Sequence, residues 1–146
     1  MYLIEMLRKH EGVETHAYVD TVGKVTIGVG RNIDAKDGLG LSDKEIDFLL
    51  YNDIDRCEEE LYSTFSWIDS LTPTRFDALV DICFNLGLPR LLKFKKALNA
   101  LKAEDYNKAA DEFLDSKWAT QVGDRAVELS NMIRTGEYQY DYSKTV

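Results

Sequence analysis

Apolar and polar positions along the chain follow a helical period, then an alternating one, then a helical one again. Between residues 3 and 11, Leu3, Ile4 and Leu7 form an apolar stripe that Glu11 continues. Gly12 follows where a helix end favours a residue tolerant of positive φ. From Ala17 to Gly30 the residues alternate and are rich in β-branched types around Val22-Gly23-Lys24, which predicts a β-hairpin. A short third strand is expected near Arg31-Asn32-Ile33, and residues 34–41 read as a loop. Ser42-Asp43-Lys44-Glu45 has the form of a capping box and opens a long helix to about Tyr62. Ile46, Leu49, Leu50, Ile54, Cys57 and Leu61 make its apolar stripe. After a break at Ser63–Thr72, Thr72-Pro73 starts a helix marked by Phe76, Leu79, Val80, Cys83 and Phe84, which stops at Gly87 and Pro89. Further helices are expected at about 91–101, 105–117 and 124–134, with Tyr106, Ala109, Ala110, Phe113, Leu114 and Trp118 facing inward. The tyrosine-rich tail from Glu137 has no clear period.

This order predicts an α+β fold, mostly α. A small N-terminal lobe carries the hairpin, and a long helix joins it to an all-helical C-terminal lobe. A cleft between two lobes is where an extended ligand is expected. The length of 146 residues suits one domain, 1–146, with lobes of about 1–60 and about 61–146. No apolar run approaches the roughly 20 residues that cross a bilayer, and the N-terminus reads as a mature helix rather than a signal peptide. Cytoplasmic synthesis and no membrane insertion are therefore expected. Cys57 and Cys83 lie in helical patterns and read as small hydrophobes, with no disulfide and no metal site expected from two cysteines.

Charge sharpens the picture. Of the net −8, residues 34–60 contribute −7, from ten acids against three bases. Such a chain is a poor candidate for nucleic-acid binding, where Lys and Arg contacts to phosphate supply most of the affinity. The dense basic cluster from Arg90 to Lys96 is explained at least as well by a solvated helix face as by a binding patch. With little long-range attraction to anions to screen, added salt is expected to depress activity only weakly.

The candidate chemistry lies in the first thirty residues. Glu11 ends the first helix, Asp20 sits on the hairpin, and Thr26 adds a hydroxyl. Two carboxyl groups of this kind suit glycoside hydrolysis: one protonates the leaving oxygen, the other activates water or stabilises positive charge. The negative end of a helix dipole, with partial burial, favours the acid form that the first role requires. Taken singly, Glu11 is a solvated helix-end acid, Asp20 a turn residue and Thr26 a β-former. His10 and His16 flank the trio, but their spacing matches no established ligand pattern, and no metal is expected.

The joint pattern is more specific. Glu11-Gly12, Ala17-Tyr18-Val19-Asp20-Thr21-Val22-Gly23 and Thr26-Ile27-Gly28-Val29-Gly30-Arg31-Asn32 occur in order. Asn52-Asp53-Ile54, Phe84-Asn85-Leu86-Gly87, Phe94, Ser116-Lys117-Trp118, Gln121, Arg125 and Arg134-Thr135-Gly136 follow. Over nearly its whole length the chain resembles the phage-type lysozymes, or endolysins, of glycoside hydrolase family 24. The resemblance implies a lysozyme-like fold and cleavage of the β-1,4 bond between N-acetylmuramic acid and N-acetylglucosamine in peptidoglycan. It implies Glu11 as general acid, Asp20 as base or electrostatic partner, and Thr26 as the residue holding the attacking water. Inversion is the expected outcome, for which carboxyl groups stand about 6.5–9.5 Å apart. Substrate contacts are implied at Asn32, Phe84 and Glu112, although Asn32 and Glu112 depart from the best-known residue types and Ala97 replaces an expected serine. Arg125 matches the family's arginine near the catalytic glutamate. No cofactor is implied. A monomer acting on peptidoglycan is expected, held in the host cytoplasm until a membrane-permeabilising holin releases it to the wall. Two other classes fit less well: a metal-dependent amidase or peptidase, and a non-catalytic wall-binding or interaction module on the same fold.

Overall fold

The computed structural model describes residues 2–144. Helix α1 (Tyr2–Glu11) precedes strands β1 (Glu14–Val19), β2 (Val25–Gly28) and β3 (Arg31–Asn32). Helices α2 (Asp43–Thr64), α3 (Pro73–Leu86), α4 (Leu88–Leu91), α5 (Lys95–Lys102), α6 (Tyr106–Leu114), α7 (Lys117–Val122) and α8 (Asp124–Thr135) follow. Short 3-10 turns occupy Ile68–Ser70 and Tyr142–Lys144. This is the α+β, mostly helical class expected from the sequence. Internal contacts gather into two units, Met1–Leu50 and Tyr51–Val146, so the division falls within α2.

In the first unit, α1 closes at Gly12, whose N–H donates to Arg8 O at 2.9 Å with φ +79°. Leu3, Ile4, Met6 and Leu7 are exposed and no residue of α1 is buried, against the inward face expected of the helix. The three strands form an antiparallel sheet in the order β1-β2-β3. Strand β1 begins at Glu14, three residues before the alternating pattern, because Glu14 pairs with Gly28 across an irregularity that ends at Tyr18. Polar, exposed Glu14-Thr15-His16 carries no apolar alternation that could have announced it. Asp34 holds the far side of the sheet, accepting from Val25 N–H (3.1 Å) and Lys36 N–H (3.2 Å), and these bonds hold its carboxyl below the usual range.

The capping box at the start of α2 is formed: Ser42 N–H donates to Glu45 Oε1 at 2.9 Å, and Glu45 N–H donates to Ser42 Oγ at 3.2 Å. Arg31 Nη1 joins it, 2.8 Å from Glu45 Oε1 and 3.0 Å from Gly40 O. The Arg31 bond, then the Ser42 bonds, push the Glu45 carboxyl down to about 2. A carboxylate held below its unfolded value stabilises the fold above that value and loses its contribution as pH falls through the folded one. Thermal unfolding of the wild type should therefore weaken from about pH 4.5 down to about 2, and Glu45→Gln should flatten that part of the profile. An unaltered profile in the variant would remove Glu45 as a source of acid sensitivity.

The second unit holds the core. Leu61, Leu79, Ile82, Leu91, Leu101, Phe113 and Ile133 are fully buried. Helix α6 packs on α5 and α8, and α3 packs on α8. The Phe113 ring lies 5.3 Å from Phe94, and Phe94 meets Trp118 edge-on at 6.2 Å. Trp118 is buried and donates its indole N–H to Asn85 Oδ1 at 2.8 Å, which makes it a core residue. Cys57 of α2 and Cys83 of α3 are buried free thiols, and burial pushes Cys83 up to about 12.

The helix boundaries differ from expectation at two places. Gly87, with φ +80°, ends α3, but Pro89 stands in the first turn of α4 instead of closing a helix. A first-turn residue needs no N–H partner, so proline is tolerated there. The helix expected at 91–101 is therefore the short α4 followed by α5. The one expected at 105–117 breaks at Ser116, whose extended backbone and Oγ, accepting from Ala119 N–H at 3.1 Å, start α7. Helix α8 ends at left-handed Gly136, where Arg75 donates from Nε to Ile133 O at 2.7 Å and stacks over Tyr106 at 3.7 Å.

Candidate active site

Four of the residues expected at the site belong to the first unit. Thr26 lies in the central strand, opposite Tyr18 of β1 and opposite Asn32 of β3. Directly opposed residues in an antiparallel pair share a face, so Tyr18, Thr26 and Asn32 form one cross-sheet row. The ladder continues one step beyond β1, with Asp20 N–H donating to Lys24 O at 2.9 Å. Alternation along the strand then puts Asp20 on the same face as Tyr18 and Thr26.

Hydrogen bonds fix how each of these groups can act. Asp20 Oδ1 accepts from Val22 N–H (3.0 Å) and Lys24 N–H (2.8 Å), which closes the hairpin turn. Its Oδ2 has no hydrogen-bond partner among the described residues and stays free to take a proton. Thr26 is 4% exposed, and its hydroxyl donates to Lys24 O at 3.0 Å. Its one proton is thereby used, so the oxygen can still accept a hydrogen bond from water.

Glu11, the last residue of α1, is exposed, and its side chain packs against Gly30 in the turn between β2 and β3. A Cβ on Gly30 would stand 2.6 Å from Glu11 Oε2 and 3.0 Å from its Cδ, and Gly30 has φ +67°. The positive φ favours glycine here, and a Cβ would push the flexible, exposed Glu11 side chain aside. Gly30→Ala is expected to displace the Glu11 carboxyl. Stability should fall by about 1 kcal/mol. Thermal unfolding checks this; a variant that melts like the wild type would show that the positive φ of Gly30 carries no strain.

The remaining expected residues belong to the second unit. Phe84 on α3 is 42% exposed and so is not a core residue. Glu112 on α6 is half-buried and lines a cavity of about 430 Å³ with Ala97, Lys93, Lys95, Lys96 and Asp115. Arg125 on α8 is paired with Asp81 of α3, Nη2 to Oδ1 at 2.7 Å. Sequence reasoning missed that partner, and also the seat of Glu11 on Gly30 and the Arg31–Glu45 pair. Asp81 and Arg125 are separated by 44 positions and share no local pattern. His16 is exposed and bonded through Nδ1 to Thr15 Oγ1 at 2.9 Å. Among the described residues no group of three His, Cys, Asp or Glu side chains is arranged to hold a metal ion.

The profile described as phage lysozyme matches residues 8–134. A probable T4-type lysozyme 2 of Dictyostelium discoideum is 28% identical, over 92% of this chain and 94% of that one. An endolysin of Salmonella phage P22 is 30% identical, over 76% of this chain and 77% of its own length. An endolysin of Bacillus phage B103 is 34% identical over 82% of this chain, which spans 45% of that longer protein. The match thus takes in the helix end, the hairpin and the helical unit together, and the chain belongs to the phage lysozyme family, glycoside hydrolases that degrade peptidoglycan.

Proposed function

We propose that this lysozyme cuts the β-1,4 bond between N-acetylmuramic acid and N-acetylglucosamine with inversion. Glu11 gives its proton to the leaving glycosidic oxygen. Asp20 takes a proton through Oδ2 from a water whose other hydrogen is held by Thr26 Oγ1, and that water attacks the anomeric carbon from the opposite face. The observation that carries this reading is the division of labour in the sheet. One oxygen of Asp20 is fixed by two backbone N–H groups and the other is left open, on the face shared with the Thr26 hydroxyl.

Asn32, Phe84 and Glu112 contact the glycan in this scheme, and Arg125 supports the acid. The whole chain works as one lysozyme-like domain and as a monomer, without a cofactor. Its biological setting is the end of a phage cycle, in which a holin gives it access from the host cytoplasm to the wall. No described helix is long and apolar enough to cross a membrane, in keeping with dependence on such a partner.

Incubation of purified peptidoglycan with the enzyme, followed by mass and anomeric analysis, tests the chemistry. New reducing ends should be N-acetylmuramic acid, first appearing as the α-anomer. Reducing N-acetylglucosamine, or free amino groups without glycan cleavage, would overturn the assigned bond, and a β-anomer would overturn inversion.

A further inference from the structure

A second cavity, of about 260 Å³, lies in the helical unit beside the one that contains Glu112. Arg90 of α4, Lys93 and Lys117 of α7 line it together with Leu86, Phe94 and Trp118, and no acid does. The two cavities share Lys93 and Phe94, and Lys95 and Lys96 continue the row of cations past the first opening, whose lining also holds Glu112 and Asp115. All five cations are exposed, and none takes part in an ion pair among the described residues. Elsewhere in the same unit, Arg56, Arg125 and Arg134 are each paired with carboxylates. Five unpaired like charges on one short stretch of surface, in a chain of net −8, repel one another. An anion laid among them relieves that repulsion.

We propose that this surface binds a phosphodiester-linked polyol polymer of the bacterial wall, with one phosphate in the acid-free cavity and the next along Lys95 and Lys96. Lysine acts as a point charge well suited to phosphate, whereas a lone carboxylate is best met by a single arginine fork. A row that continues from one cavity to the next fits a chain with regularly repeated charge better than it fits a single ion. The short carbon spacer between phosphates can lie against Phe94 and Leu86. The proposal rests on the wall-degrading reading above for its biological sense, though its binding chemistry is separate from the hydrolysis. It also qualifies the weak salt response expected from the net charge. Lysis of walls that carry the polymer should fall with added salt, while lysis of stripped peptidoglycan should stay flat.

Calorimetric titration of the intact protein with poly(glycerol phosphate) tests it. Saturable binding is expected, weakening with salt at a slope of about −1.4 on logarithmic axes for two neutralised phosphates on a flexible strand. Arg90→Glu/Lys93→Glu/Lys117→Glu should bind about tenfold or more weakly, and the milder Lys93→Gln should show part of that loss. The control Lys102→Glu/Lys108→Glu, at two residues outside both cavity linings, should bind as wild type does. Absence of saturable binding overturns the proposal, as does an equal loss in the control. Equally tight binding of polyglutamate or of a single-stranded oligonucleotide overturns the assignment to a wall phosphodiester. Failure of the wild type to cut polymer-free peptidoglycan would instead strike the hydrolytic mechanism and leave this titration untouched.

Discussion

Glu11→Gln is expected to leave peptidoglycan essentially uncut while folding as the wild type does. The amide has the same shape as the acid and can rest against Gly30 in the same way, but it cannot deliver a proton to the departing sugar oxygen. Positioned acid–base groups contribute about 10²–10⁴-fold to such reactions, so residual lysis should lie below about 1%. Glu11 is exposed, and substitutions at exposed positions usually change stability by no more than about 0.5 kcal/mol. Release of reducing ends from purified wall, read beside a thermal melt, separates lost chemistry from lost fold. Brisk lysis by a properly folded variant would remove Glu11 from the role of acid.

Phe113→Ala should have the largest effect on stability. Its ring is fully buried between Phe94 and Trp118, with centroids 5.3 and 6.4 Å away. Truncating a buried phenylalanine costs about 3–5 kcal/mol, through lost transfer energy and the cavity left behind. Against a total of about 5–15 kcal/mol for a typical protein, that is a large share. The urea midpoint should drop sharply with little change in slope. The same truncation at Phe84 offers a contrast. That ring is 42% exposed and is assigned to the glycan, so Phe84→Ala should weaken turnover of wall more than it weakens the fold. If Phe113→Ala melted like the wild type, the aromatic cluster would not be the centre of this core.

The features legible in the sequence were those written in local chemistry. Gly12 stops α1, the Ser42–Glu45 box starts α2, and Gly136 ends α8, each through bonds to residues within four positions. Elements that depend on a neighbour were harder to read. Strand β1 extends back to Glu14 only because β2 offers it a partner. Pro89 resembles a stop signal until Gly87 turns the chain and makes it the first turn of a new helix. The candidate site divides in the same way. Glu11, Asp20 and Thr26 stand out through their combined spacing, since each residue alone has an ordinary explanation. The free oxygen of Asp20 and the glycine seat of Glu11 depend on turn geometry that no residue pattern spells out. Pairs such as Asp81–Arg125 join distant segments and become visible only once α3 and α8 lie together.

The two thiols between α2 and α3 make the core its own clock. A Cys83 thiol held near 12 is almost wholly protonated at neutral pH, and in the closed protein it is shielded from reagents as well. Alkylation can then proceed only through molecules that have transiently opened, where the thiol returns to ordinary reactivity. When reclosing is fast, the labelling rate reports the fraction of open molecules; when it is slow, the rate reports opening itself. The protein therefore carries a native means of timing its own excursions from the folded state, with no probe added to it.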